Sequence, residues 1–227
     1  MSGGALTVGV LGGTGPAGTA VAARLASIGH PVVIGSRSAE RAEEKAREVR
    51  DAWPDLGLDL RGGTNDEAAA CEVIVLATPW DSAATTAREH EGALHGKVVI
   101  SMANALVRVG SEFQPLVPPR GSVAAHVQVA VPGCRVVAAF HHLPAKELSH
   151  LGDPVDSDVL ICSDDKAALA TVSEIVERIP GCRPLDSGEL SNATAIEAFT
   201  AVLLQLNIRY KTRVAPRLNG IKGDPRK

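Results

Sequence analysis

Aromatic residues are scarce in this 227-residue chain, with three Phe, two Trp and one Tyr. Proteins that hold single-stranded nucleic acid stack its bases on exposed rings, and this chain has few to offer. Neither sign of charge is in large excess. Twenty-three Lys plus Arg oppose 26 Asp plus Glu, a formal net charge of −3, whereas a nucleic-acid-binding surface is usually strongly basic. No stretch of eighteen apolar residues occurs, so no membrane-spanning helix is expected. The start, Met1 to Gly4, lacks the basic and apolar regions of a secretion signal. Cysteine is also sparse, and Cys71, Cys134, Cys162 and Cys182 form no CxxC pair. Metal and redox sites normally use such short spacings, so a reduced, cytoplasmic protein without a metal is expected, with neither nucleic acid nor membrane as partner.

The chain is rich instead in small aliphatic residues: 45% of it is hydrophobic, mainly Ala and Val. Such side chains suit close packing of helices on a sheet. At roughly 150 residues per domain, the length predicts one large domain or one domain with a smaller lobe. Either buries about 70% of its unfolded surface without a staple.

Apolar runs at Leu6–Leu11, Val32–Ile34, Val73–Ala77, Val98–Ile100 and Val136–Phe140 read as buried strands. A weaker strand is expected around Leu58–Leu60. Between them lie helical patterns. One runs from Pro16 to Ile28 and stops at Gly29, and another, charged and exposed, runs from Ser38 to Ala52. Asn65 is expected to cap a short helix to Cys71, and Asp81 a helix after Trp80. Alternation of strand and helix predicts an α/β fold with a Rossmann-type, doubly wound and mainly parallel sheet.

The texture changes after Phe140. Val159–Cys162, a helix over 164–179 with Asp164 and Asp165 at its start, and Arg183–Leu185 form a shorter α/β unit. A long apolar helix over 191–210 follows, packing on a partner subunit or on the core. The expected division is a nucleotide-binding domain over 1–145 and a smaller C-terminal lobe over 146–227. Gly220 to Lys227 is expected to fray.

Gly13-Thr14-Gly15-Pro16-Ala17-Gly18 fits G-x-G-x-x-G between a strand and a helix. In such a loop Gly13 permits a tight turn, Gly15 lets the backbone approach a pyrophosphate, and Gly18 lets the helix lie against the strand. Free N–H groups at the helix start then face the anion. Pro16 suits the first helical position. An NAD site wants a carboxylate at the end of the second strand. This chain has Ser36 and Arg37 there, with Arg41 one turn later. Two guanidinium groups beside a helix N-terminus oppose its dipole unless an anion joins them, so they point to the 2′-phosphate of NADP. Thr14 offers one more donor. Ala77-Thr78-Pro79-Trp80 and Ser101-Met102-Ala103-Asn104 follow the fourth and fifth strands, where ligands of such sheets bind.

Gly12-Gly-Thr-Gly15, Gly29-His30, Val33-Ile-Gly-Ser-Arg37 and Thr78-Pro-Trp80, together with Phe140-His141, Pro144-Ala145 and the run Arg183-Pro-Leu-Asp-Ser-Gly188 followed by Leu190-Ser-Asn192, resemble the NADPH-dependent reductases of the 5-deazaflavin coenzyme F420. The resemblance covers nearly the whole chain. It implies a dimeric two-lobed α/β enzyme that passes a hydride between NADP(H) and F420. By that likeness Thr14, Ser36, Arg37 and Arg41 hold the 2′-phosphate, and Thr78, Pro79 and Trp80 border the nicotinamide. His141, Leu143 and Pro144 lie against the deazaflavin. The chain departs from the family pattern at His142, where a small residue is common, and over 107–120. Hydride transfer between two carbons needs no side-chain nucleophile. Solvent, a backbone N–H or His141 could handle the accompanying proton; His141 is the one side chain to name, and the other role open to it is a positioning hydrogen bond. Two further readings stand beside this one: another NADP-dependent reductase, of imines or small ketones, and a non-catalytic NADP sensor.

Overall fold

The computed structural model describes residues 4–221. Residues 222–227 of the stretch expected to fray lie outside the described residues, as do 1–3. Secondary structure runs β1 (Val8–Leu11), α1 (Pro16–Ser27), β2 (Val32–Ser36), α2 (Ala39–Ala52), β3 (Leu60–Thr64), α3 (Asn65–Ala69) and β4 (Val73–Leu76). It continues through α4 (Ala83–Glu89), α5 (Glu91–Leu94), β5 (Val98–Ser101), β6 (Leu106–Val109), β7 (Glu112–Pro115), α6 (Val123–Ala130) and β8 (Arg135–Ala138). The C-terminal part carries α7 (Ala145–Ser149), β9 (Ser157–Ile161), α8 (Lys166–Glu177), β10 (Cys182–Asp186) and α9 (Ala193–Tyr210).

Six strands pair in parallel in the order β3-β2-β1-β4-β5-β8. The order reverses between β1 and β4, and at that switch point a crevice opens beyond the strands' carboxyl ends. Both faces are covered. Val73 and Val75 join Leu25, Ala42, Ala46, Leu169 and Val172 in one cluster. Ile74 and Leu76 join Ala83, Ala87, Val127 and Ile196 in the other. Strand side chains alternate between the faces, so α1, α2 and α8 cover one side, and α4, α6 and α9 the other. Residues from both 1–145 and 146–227 contribute to each cluster. The pair β9–β10 is parallel and meets β8 through an antiparallel bridge between Ala138 and Cys162.

Several local features differ from the sequence expectations. The third strand lies at Leu60–Thr64 rather than around 58–60, in a segment, Arg-Gly-Gly-Thr, without apolar alternation. Gly62 is there because a Cβ would collide with the α2 backbone at Ala42–Glu43, a demand invisible to hydrophobic patterning. Thr64, not Asn65, caps α3, in a reciprocal capping box with Glu67. Asn65 instead accepts the Gly12 amide through Oδ1 at 3.2 Å. Ser82, not Asp81, precedes α4. Asp165 caps α8, and Asp164 accepts the Leu190 amide. The poorly matching 107–120 stretch contains most of an antiparallel hairpin, β6–β7, which packs on α9.

Candidate functional site

The turn glycine after β1 is Gly12, with φ +68°. Gly13 serves by its lack of bulk instead, because a Cβ there would come within 2.8 Å of the Val10 carbonyl. Gly18 acts as expected: a Cβ would meet Gly13 Cα at 2.8 Å and Ala77 Cβ at 2.9 Å, so α1 lies close against the strand ends. A Cβ on Gly15 would meet nothing within 4 Å. Gly15 is also the N-cap of α1 and supplies no side-chain cap. Helix starts leave orphan N–H donors, and among the described residues the Ala17 and Gly18 amides have no protein acceptor. Bare donors, open space and the positive dipole end together fit a pyrophosphate.

Ser36 ends β2, and its hydroxyl accepts the Ser38 amide at 3.2 Å. Ser38 caps α2 by accepting the Arg41 amide. Arg37 and Arg41 are exposed, and among the described residues neither guanidinium has a protein partner. The two cations stand free at a helix start.

A cleft of about 400 Å³ opens beside the glycine loop. Ala17, Ala77, Thr78, Pro79, Trp80, Ala103, Asn104, His141, Leu143 and Pro144 all line it. Thr14 and Pro16 line a neighbouring groove between α1, α2 and α7. Met102, His142 and Ala145 line it beside these, and the residues that the sequence did not point to complete the cleft: Leu106, then Thr200, Leu203, Leu204 and Asn207 from α9, and Val214 beyond it. Their signal is faint, since a Thr and an Asn within an apolar helix are ordinary.

The strand-end turns are tied together. Asn104 Nδ2 donates to the His141 carbonyl at 2.9 Å, and the Thr200 hydroxyl lies 3.2 Å from both that carbonyl and Asn104 Oδ1. Phe140 adopts φ +65°, a left-handed conformation unusual for a bulky residue. It turns the chain sharply before His141. The His141 side chain is 4% exposed, and neither ring nitrogen has a hydrogen-bond partner. Burial, and then the nearby His142, push its pKa down to about 3, with only partial relief from the Met102 and Ala103 backbone. His141 is therefore a neutral imidazole at physiological pH, with no imidazolium proton to donate. Thr78 Oγ1 is likewise buried and unpaired. Unsatisfied buried polar atoms are costly, and their concentration in this wall fits a polar, ring-bearing ligand.

Residues 7–105 match the family model of the coenzyme F420-dependent NADP oxidoreductases. The F420-dependent NADP reductase of Methanocaldococcus jannaschii is 36% identical over 213 residues, 92% of this chain and 95% of that protein. Its counterpart from Methanothermobacter marburgensis is 38% identical over 215 residues, covering 92% and 96%. The chain belongs to the F420-dependent NADP reductase family. The same fold appears in a solved structure from Arthrobacter sp. FB24, with a TM-score of 0.78 at 24% identity, covering 93% of this chain and all of that one. Among the described residues no helix is long and apolar enough to cross a membrane.

Proposed function

We propose that this protein transfers a hydride between NADP(H) and the deazaflavin coenzyme F420, as a cytoplasmic homodimer. The observation that carries the reading is the cleft: its walls are three strand-end turns, and it adjoins the uncapped start of α1. Family membership over nearly the full length favours this activity over imine or ketone reduction and over NADP sensing.

The loop Gly13–Gly18 holds the pyrophosphate by its bare amides. Ser36, Arg37 and Arg41 take the 2′-phosphate, with Thr14 nearby. Thr78, Pro79 and Trp80 border the nicotinamide, Ala103 and Asn104 line the same cleft, and His141, Leu143 and Pro144 face the deazaflavin. The two cofactors supply the hydride donor and acceptor carbons themselves. The protein contributes orientation and exclusion of water. A neutral His141 supports positioning rather than acid catalysis, which leaves solvent or a backbone N–H to meet the proton demand.

Dimerisation is supported by apolar side chains left exposed on α9, with Val202 at 51% and Tyr210 at 71%. Four free cysteines, three of them buried, suit a reducing compartment. The deciding assay mixes the protein with NADPH and oxidised F420 and follows the deazaflavin's visible absorbance. Bleaching is expected; its absence at every pH overturns the reading.

A further inference from the structure

We propose that His142 is a specificity-determining contact of the cleft, its Nδ1 accepting a hydrogen bond from the ring N–H of the bound deazaflavin. This deepens the proposed function and rests on it. His142 lines the cleft yet is only 3% exposed. Its Nε2 lies 2.9 Å from the Asp158 backbone carbonyl. A carbonyl can only accept, so Nε2 carries the hydrogen. The Leu160 amide, 3.4 Å from the same nitrogen, suits only the opposite tautomer and is the weaker contact. Nδ1 is consequently a bare lone pair, and it is buried with no protein partner. Burial also holds the ring below the usual imidazole pKa, which keeps that lone pair unprotonated.

The ring's anchor is rigid. Asp158 is fully buried; its carboxylate receives Arg183 Nε at 2.8 Å, Arg183 Nη2 at 2.7 Å and the Leu218 amide at 2.6 Å. The carbonyl that orients His142 thus belongs to a residue clamped by charge-assisted bonds. An unpaired acceptor in an apolar wall recovers its desolvation cost only when a donor arrives. The pyrimidine edge of a deazaflavin presents one lactam N–H of that kind.

The test compares F420 with its analogue methylated at that nitrogen, measuring dissociation constants by quenching of deazaflavin fluorescence. Wild type, His142→Phe and His142→Leu are used, with NADPH affinity as the check on folding. The wild type is expected to favour F420 by about tenfold, the size of one buried hydrogen bond. In both variants the ratio falls towards one. Either variant suffices, so a folding defect in one leaves the test intact. A ratio that is the same in wild type and variant, as when Nδ1 meets only water, overturns the inference while the hydride-transfer reading stands. Failure of wild type to bind F420 at all overturns both.

Discussion

The Asn104 side-chain amide donates to the His141 carbonyl at 2.9 Å, joining the turn after β5 to the turn after β8. Both turns line the cleft. Asn104→Ala leaves that carbonyl with the Thr200 hydroxyl alone. It is expected to cost about 1–2 kcal/mol of stability, as for a lost buried hydrogen bond, and to raise KM for the deazaflavin more than KM for NADPH. Denaturant titration and steady-state kinetics check this. Unchanged kinetics would show that the tie serves the fold alone.

Two glycines of one loop should separate packing from binding. Gly18→Ala drives a Cβ into Gly13 and Ala77, and a destabilisation of about 1–3 kcal/mol is expected from overpacking. Gly15→Ala meets nothing in the protein. Its melting temperature should stay near wild type while NADPH affinity falls, because the added methyl stands where the pyrophosphate approaches. Thermal melts and cofactor titrations on both variants give the comparison.

Arg37→Ala removes an exposed guanidinium with no protein partner. Stability should move by less than about 0.5 kcal/mol. Affinity for NADPH should drop roughly tenfold or more, as for loss of a charge-assisted phosphate contact, and affinity for NADH should hardly change. Parallel titration with the two nucleotides reads the difference; equal losses remove the 2′-phosphate role.

Glu197 should make stability depend on pH. Its carboxyl on α9 accepts the Val123 and Ala124 amides at 2.8 and 3.1 Å, yet burial outweighs them and raises its pKa to about 7. A raised carboxyl pKa favours the folded state when protonated. The stabilisation is complete below the unfolded pKa of about 4.3 and is lost as pH climbs through 7. Glu197→Gln carries no such term. The stability difference, wild type minus variant, should fall by about 2 kcal/mol between pH 5 and 8. Denaturant midpoints taken across that range measure it, and a flat difference contradicts the raised pKa.

The pattern Gly13–Gly18, the alternation of strands and helices from β1 to β5, and the cations Arg37 and Arg41 were legible in the sequence, whereas β6, β7, α6 and α7 were not. Each rests on local causes: apolar periodicity, the steric freedom of glycine, and the dipole of a helix start. Capping was legible only to within a residue or so, since Asn65 and Thr64 are both competent caps and the choice depended on Gly12 needing an acceptor. The strand at Leu60–Thr64 was displaced for a similar reason, because α2 crosses it too closely for side chains at Gly62.

The far wall of the cleft lay beyond local reasoning. Thr200, Leu203 and Asn207 reach it only because α9 packs across the β4–β5 side of the sheet. Likewise nothing near His142 in sequence announces that the Asp158 carbonyl sets its tautomer. The sequence by itself determined that a glycine-rich loop would join β1 to α1 and that two cations would stand at the start of α2, since those depend on neighbours in the chain. The tertiary structure alone decided that His141 and His142 are buried and held below the usual imidazole pKa, which lone pair is bare and what closes the cleft. Burial and partner choice are set by contacts between residues far apart in the chain, and hydrophobic periodicity does not encode those.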